Sequence, residues 1–523
     1  MTTPKKTPDE RSLARLQRAR ANPAEKPKSW RKSRPKVGES RKGKYEIMLD
    51  ADVEMDSGDV KALEKKMAAA NVKILEKHSN RFGRSFIVEG DKATIRGFKA
   101  TDDHVVDTVT ALPEVRMKEP VMLTDASGIA CSATQTLNQL AVMDHIGGSL
   151  PTLRENKGQG AIVVVWDESF TRTGDDEYTK RPGGAPVHFP SGTSGGTHGG
   201  FVTSTCCGNR FGLASGAELG VLGFSRSNEE SLAFIGQIVE AEKKKPTQDQ
   251  KAIVVNMSFG YTIQSYNLDT PEELQEQKTR IQAWDSAMAL LKSEYPRLAF
   301  INASGNDGED VCDQGWPGNS TVCKDCYIWP SFGGGSDNYG VGKEPYVRVG
   351  SVHGQTAAVP SKRMYASYTN HGMCTPVYAH GLVCAYDLDN SRFSTIQGTS
   401  FASPMFAGMV ALVMTKFKDM SGDDAINYLI SRGDSLEQGG SFAKVDADLF
   451  SLATPPSAGG STGSGSASSA ADEAAANAQT LDAPPETQAE ATQRIVMMVA
   501  VALFGIAFLF FLYKMNQPAP PRV

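Results

Sequence analysis

Ala161-Ile162-Val163-Val164-Val165-Trp166, with Asp167 directly behind it, is a run of six apolar residues, four of them β-branched, with no polar alternation. A strand wetted on one face alternates, whereas a strand covered on both faces does not, so this stretch reads as a doubly buried strand. The runs AIVVNM at 252–257, LAFINA at 298–303 and the apolar stretch at 347–352 read the same way. Helical patterns near 230–243 and 280–293 lie between them. Strands alternating with helices predict an α/β domain, a mostly parallel sheet with helices on both faces, whose reacting groups collect at the carboxyl ends of the strands.

The flanks of this block, 124–453, are different in kind. Residues 44–123 read as a small α+β unit: a strand at 45–49, a helix at 59–70, strands near 72–76 and 84–88, a helix at 103–112 and a closing strand. Met1 to Lys44 carries fifteen Lys and Arg against four Asp and Glu, although the whole chain has a net charge of -5. The protein is thus an acidic body with a basic arm over 1–43, which lacks the apolar core of a signal peptide. The arm reads as a solvated, disordered tail, and nucleic acid or an anionic membrane surface is the partner that its charge would suit. Residues 454–493, built of Ser, Gly, Ala, Thr, Pro and acids, are too poor in apolar groups to pack and read as a linker.

Ile495 to Tyr513 is nineteen residues without a charge, long enough at 1.5 Å per residue to cross a hydrocarbon layer about 30 Å thick. One transmembrane helix is expected within 494–514, with a short tail at 515–523. A C-terminal anchor without a signal peptide predicts that the large domain lies on the cytosolic side of its membrane. All eight Cys fall between positions 131 and 384. Their even number permits disulfides such as one between Cys374 and Cys384, which would need an oxidising compartment. Cys312, Cys323 and Cys326 supply three sulfurs with no nearby His, one ligand short of a structural zinc site, so no metal site is expected.

A serine hydroxyl attacks only when an imidazole takes its proton, a carboxylate orients the imidazole, and donors receive the oxyanion. Ser400, in Gly398-Thr399-Ser400-Phe401-Ala402-Ser403-Pro404, opens an apolar helix expected over 401–417, with Pro404 in its first turn. Asp167 sits at the carboxyl end of the first buried strand. Asn306 follows the strand at 298–303, where its amide could donate to an oxyanion together with the Ser400 backbone N–H. His198, in Gly195-Gly196-Thr197-His198-Gly199-Gly200-Phe201, is the best placed of eight histidines.

These residues, in the order Asp, His, Asn, Ser over roughly 158–433, resemble the subtilisin family of serine peptidases. The segment around Ser400 matches the family's Gly-Thr-Ser-x-Ala-Ser-Pro at every fixed position. The resemblance implies a catalytic triad of Asp167, His198 and Ser400, with Asn306 in the oxyanion site. Asn256-Met257-Ser258-Phe259-Gly260 resembles the family's Asn-Met-Ser-Leu-Gly. It implies that Ser258, Phe259 and Gly260 bind a polypeptide substrate as an added strand, with Ala303, Ser304 and Gly305 as the facing wall. Two places depart from the family pattern: Asp167-Glu168-Ser169 stands for Asp-Thr-Gly or Asp-Ser-Gly, and His198-Gly199-Gly200-Phe201 for His-Val-Ala-Gly.

The unit at 44–123 resembles the family's inhibitory propeptide through Lys44-Tyr45-Glu46-Ile47-Met48-Leu49, Gly83-Arg84-Ser85-Phe86-Ile87-Val88 and Leu112-Pro113-Glu114-Val115. That implies a zymogen restrained by its own propeptide and cut near Met122, Leu123, Thr124 or Asp125. The chemistry needs no cofactor. Structural calcium is common in the family, but no acidic cluster here is assignable to it. A second reading, an inactive subtilisin-like binding or structural module, is motivated by the two departures. A serine esterase is disfavoured because the Gly-x-Ser-x-Gly elbow is missing around Ser400.

Overall fold

The computed structural model describes residues 42–50, 52–81, 83–112, 121–122, 157–168, 175–188, 197–223, 228–260, 270–310, 344–352, 364–372, 374–388, 391–445 and 449. The first described elements are strand β1 (Lys42–Leu49), helix α1 (Gly58–Ala69), strands β2 (Lys73–Asn80) and β3 (Gly83–Asp91), helix α2 (Lys92–Thr101) and strand β4 (Val106–Ala111). The four strands form an antiparallel sheet in the order β2-β3-β1-β4. Ser57 caps α1 by accepting the Val60 N–H at 3.2 Å, and Asp91 caps α2 by accepting the Thr94 N–H at 2.9 Å.

The helix expected at 103–112 is corrected by this topology. The helix lies at Lys92–Thr101, and Val106-Asp107-Thr108-Val109-Thr110-Ala111 is a strand paired with β1. Its β-branched content suits a pleated surface, and pairing at the sheet edge decides between the two readings.

The larger unit continues through β5 (Val121–Met122), β6 (Ala161–Asp167), α3 (Asp176–Thr179), β7 (Val187–His188), α4 (His198–Cys207), β8 (Glu218–Gly223), α5 (Asn228–Lys243), β9 (Ala252–Met257), α6 (Pro271–Glu294) and β10 (Leu298–Ala303). It closes with β11 (Val347–Val352), β12 (Val377–His380), β13 (Leu382–Asp387), β14 (Arg392–Gln397), α7 (Thr399–Lys416), α8 (Gly422–Arg432), β15 (Asp434–Ser435) and β16 (Ser441–Phe442). Among the described residues nine strands form one sheet in the order β15-β16-β12-β11-β10-β9-β6-β8-β7, parallel throughout except for β15 against β16. β6 shows why its sequence does not alternate. Ala161, Val163 and Val165 pack with Val202 of α4 and Val410 of α7, while Ile162, Val164 and Trp166 pack with Leu232 of α5 and Met288 of α6.

The chain leaves β6 for β8 on one side and returns to β9 on the other, so the strand order reverses at β6. In parallel sheets the crevice beyond the carboxyl ends at such a reversal is where ligands bind. α6 begins earlier than the helix expected at 280–293, because the Thr270 hydroxyl accepts the Glu273 N–H at 3.2 Å and Pro271 suits the first turn. Its outer side meets the amino-terminal sheet: Arg280 bonds Glu46 of β1, Thr110 of β4 and Glu229 of α5, all four residues being buried.

Cys206 and Cys207 form a disulfide at the end of α4, and Cys374 and Cys384 are each disulfide-bonded. Cys312, Cys323 and Cys326 lie outside the described residues, as do residues 1–41 of the arm and everything expected beyond 453. Among the described residues no helix is long and apolar enough to cross a membrane, and the run from Ile495 to Tyr513 is not among them.

Candidate active site

Asp167 ends β6 with no exposed surface, and its Oδ1 lies 2.9 Å from Nδ1 of His198, the first residue of α4. Oδ1 also accepts the Glu168 N–H at 2.6 Å, which fixes the carboxylate against the ring. A neutral imidazole bonded in this way carries its proton on Nδ1 and presents Nε2 as a base. Nε2 is buried with no hydrogen-bond partner among the described residues. Burial pulls the His198 pKa down, but the charge and hydrogen bond of Asp167, helped by the charge of Glu168, outweigh it and hold the imidazole above its ordinary value.

Ser400 is the second residue of α7. Its N–H therefore precedes the intrahelical ladder and lies at the positive end of the helix. Gly398, just before the helix, has φ 157° and ψ 159°, a region only glycine occupies readily. The Ser400 hydroxyl donates to the Ser258 carbonyl at 3.4 Å and forms no bond to His198. Even so, the His198 and Phe401 rings lie 5.8 Å apart, so the imidazole is beside the start of α7.

Pro404 lies inside α7, not in its first turn as the sequence reading expected. Proline has no N–H for the carbonyl four residues back, which is that of Ser400. The Ser258 hydroxyl fills this role, donating to the Ser400 carbonyl at 2.9 Å. Ser258 is oriented in turn by Asn256 Nδ2 at 2.9 Å, and Asn256 Oδ1 accepts the Ser403 hydroxyl at 2.7 Å. Sequence reasoning missed Asn256 and Ser403 as positioning groups. The signal was present, because an Asn in an otherwise apolar, doubly buried strand must find partners.

Asn306 lies one short loop beyond β10, and its Oδ1 accepts both the Thr399 N–H at 2.8 Å and the Thr399 hydroxyl at 2.9 Å. Those two donors identify the carbonyl side of the amide, so Nδ2 is the opposite face, 3.4 Å from where a Cβ on Gly398 would sit. Asn370 holds the loop that carries Asn306. It bonds the Ser304 carbonyl and the N–H groups of Asp307 and Glu309, and its own N–H bonds the Gly305 carbonyl. No local pattern marks Asn370 in the sequence, since the contact is purely long-range.

The two walls named from sequence end neighbouring parallel strands. Asn302 Nδ2 ties them by donating to the carbonyls of Met257 and Phe259 at 2.8 and 3.2 Å, and the Gly305 N–H donates to the Thr399 hydroxyl at 3.2 Å. Val121 and Met122 pair with Gln397 and Ile396 on β14, directly ahead of Gly398 and Ser400. Leu123, Thr124 and Asp125 lie outside the described residues. Among the described residues no group of three or more His, Cys, Asp and Glu could hold a metal ion.

The sequence pattern of peptidase S8, the subtilase family, matches residues 127–445, more than half of the chain, and that span contains Asp167, His198, Asn306 and Ser400. The chain belongs to the subtilase family. By family it is a subtilisin-like serine peptidase, a hydrolase. Among similar subtilases, a subtilisin-like protease of Coccidioides posadasii is 24% identical over 318 residues, covering 57% of this chain and 51% of that protein. The subtilisin-like serine protease Pen c 1 of Penicillium citrinum is 24% identical over 342 residues, covering 64% of this chain and 72% of its own length. The chain thus spans about half to three quarters of these relatives. The crystal structure of the epidermin leader peptide processing serine protease of Staphylococcus aureus, a mutant form, aligns with a TM-score of 0.51 at 14% identity, covering 79% of this chain and 100% of that one. This likeness shows the shared fold.

Proposed function

We propose that the chain is a serine endopeptidase in which Ser400 attacks the peptide carbonyl, His198 takes its proton through Nε2, and Asp167 holds the ring. The observation that carries this reading is the buried 2.9 Å contact between Asp167 and His198 beside the helix that begins at Ser400. A turn of the Ser400 side chain from the Ser258 carbonyl toward Nε2 would complete the relay. The Ser400 N–H and Asn306 Nδ2 would receive the oxyanion, as fixed donors cost no reorganisation in the transition state. His198 would then protonate the leaving amine, and water would release the acyl group by the same route in reverse. Ser258 to Gly260 and Ala303 to Gly305 would hold the substrate backbone. The intact dyad, despite the altered residues beside it, weighs against the inactive-module reading. A fluorophosphonate probe should label the wild type and not Ser400→Ala; equal labelling of both would refute the assignment.

The reading extends to a zymogen. The amino-terminal sheet covers the outer side of α6, and the chain beyond it pairs with the strand leading into Ser400, as an inhibitory propeptide would. Amino-terminal sequencing of the matured wild type, set against Ser400→Ala, tests self-processing. A membrane anchor at Ile495 to Tyr513, behind a linker of about forty residues, would keep the site within roughly 35 Å of the bilayer. Without a signal peptide the peptidase would face the cytosol, whereas bridges at Cys374 and Cys384 would suit an oxidising side of that membrane. Protease protection of a tag at Val523 distinguishes the two orientations. A bilayer or nucleic-acid contact of the basic arm stays a proposal from charge, and structural calcium one from family alone.

A further inference from the structure

The two departures from the family pattern, at Glu168 and Gly199, meet in space. A Cβ placed on Gly199 would lie 1.9 Å from the Glu168 carbonyl oxygen, so only glycine lets the end of β6 close onto the first turn of α4. Thr197, the residue before that helix, makes no side-chain cap, and the first turn has no acidic residue of its own. Glu168 supplies both from another element, since its Oε2 accepts the His198 backbone N–H at 3.4 Å. Two adjacent carboxylates thus address one histidine, Asp167 at the ring and Glu168 at the main chain.

On the assignment of His198 as the base, we propose that Glu168 is a positioning residue for the reaction: its carboxylate caps α4 and its negative charge favours the imidazolium that forms as Ser400 attacks. Among the described residues, the charged or titratable groups facing His198 are Asp167 and Glu168 at the end of β6. α7 contributes the uncharged Ser400 and the Phe401 ring, and Tyr178 of α3 spends its hydroxyl on the Gly200 carbonyl. Glu168 is itself half-buried. Burial and the neighbouring Asp167 raise its pKa, against the charge and N–H of His198.

The test is the pH profile of kcat/KM for peptide hydrolysis by the full chain, comparing wild type with Glu168→Gln, Glu168→Asp and Glu168→Ala. Gln keeps an acceptor and removes the charge, so the acid limb should move roughly half a pH unit to lower pH. Asp keeps the charge and should leave the limb near that of the wild type. Ala removes cap and charge together, so it should show the Gln shift with a further loss of about fivefold at the plateau. Coincident limbs for wild type and Gln, or equal shifts for Gln and Asp, would overturn the role of Glu168. A wild type that neither hydrolyses peptide nor takes the probe would instead overturn the catalytic assignment beneath it.

Discussion

The two helices that flank the central strands are held in opposite ways. α7 is buried along nearly its whole length and carries no charge before Lys416; hydrogen bonds from Ser258 and Asn306 fix its start, and apolar packing fixes the rest. α6 turns Glu273, Glu276, Arg280 and Glu294 toward the amino-terminal unit, where they pair with Lys92, Arg96 and Lys99 of α2, Glu46 of β1 and Arg81 after β2. An apolar, hydrogen-bonded seat gives one rigid geometry. An interface built of ion pairs answers to pH and to the loss of single charges. The proposed zymogen would need this difference, a rigid active site beside a cover that can come away.

The sharpest way to break the first half of this contrast is at the site itself. Asn306→Ala should lower kcat by about 100- to 1000-fold, the range set by subtilisin's own oxyanion amide, with little change in KM. Steady-state hydrolysis of a peptide substrate checks it. For the second half, Arg280→Ala would leave the buried Glu46, Thr110 and Glu229 without the guanidinium they share. Hydrogen exchange of β1 to β4, in a Ser400→Ala background that keeps the chain intact, should show the sheet opening with about 3 kcal/mol less cost.

Proton linkage sharpens the same interface. Burial pushes Glu46 up to about 7 against the pull of Arg280, while Glu229, sharing that guanidinium, is held below its ordinary value. The closed state therefore keeps a proton that an opened Glu46 would release. The contribution of Glu46 is fullest below about pH 4.5 and is lost as pH rises toward 7, while that of the depressed Glu229 is lost as pH falls below its ordinary value. The exchange experiment should find opening easier by about 2 kcal/mol at pH 7.5 than at pH 4.5, with most of that dependence gone in Glu46→Gln. The smallest effect belongs to the rim. Lys99→Ala removes a half-exposed pair with Glu276 and should change the opening cost by under about 0.5 kcal/mol.

The same division decides what the sequence could reveal. Strands β6, β9, β10 and β11 were legible because burial on both faces writes an unbroken apolar run, and the buried helix that starts at Thr399 because it carries no charge before Lys416. β8, β12 and the β13–β14 hairpin escaped notice, being short runs with polar or glycine interruptions. The Val106–Ala111 strand was misread as a helix because its partner β1 is far away in sequence. Asn370 and Glu168 were invisible as positioning groups for a related reason: each acts on backbone brought near only by the fold. Pro404 was placed in the wrong turn, and its consequence, a Ser400 carbonyl handed to Ser258, follows only from the helix register.

The central claim is that His198 and Ser400 form one chemical unit seated by α7. Measuring kcat/KM for His198→Ala, Ser400→Ala and the double variant tests it most directly, because groups that act together can lose their function only once. Each single change should cost at least about 100-fold, and the double variant should be no worse than Ser400→Ala within a factor of about three. Losses that multiply in the double variant would mean that the two residues work independently, and the relay drawn here would be wrong.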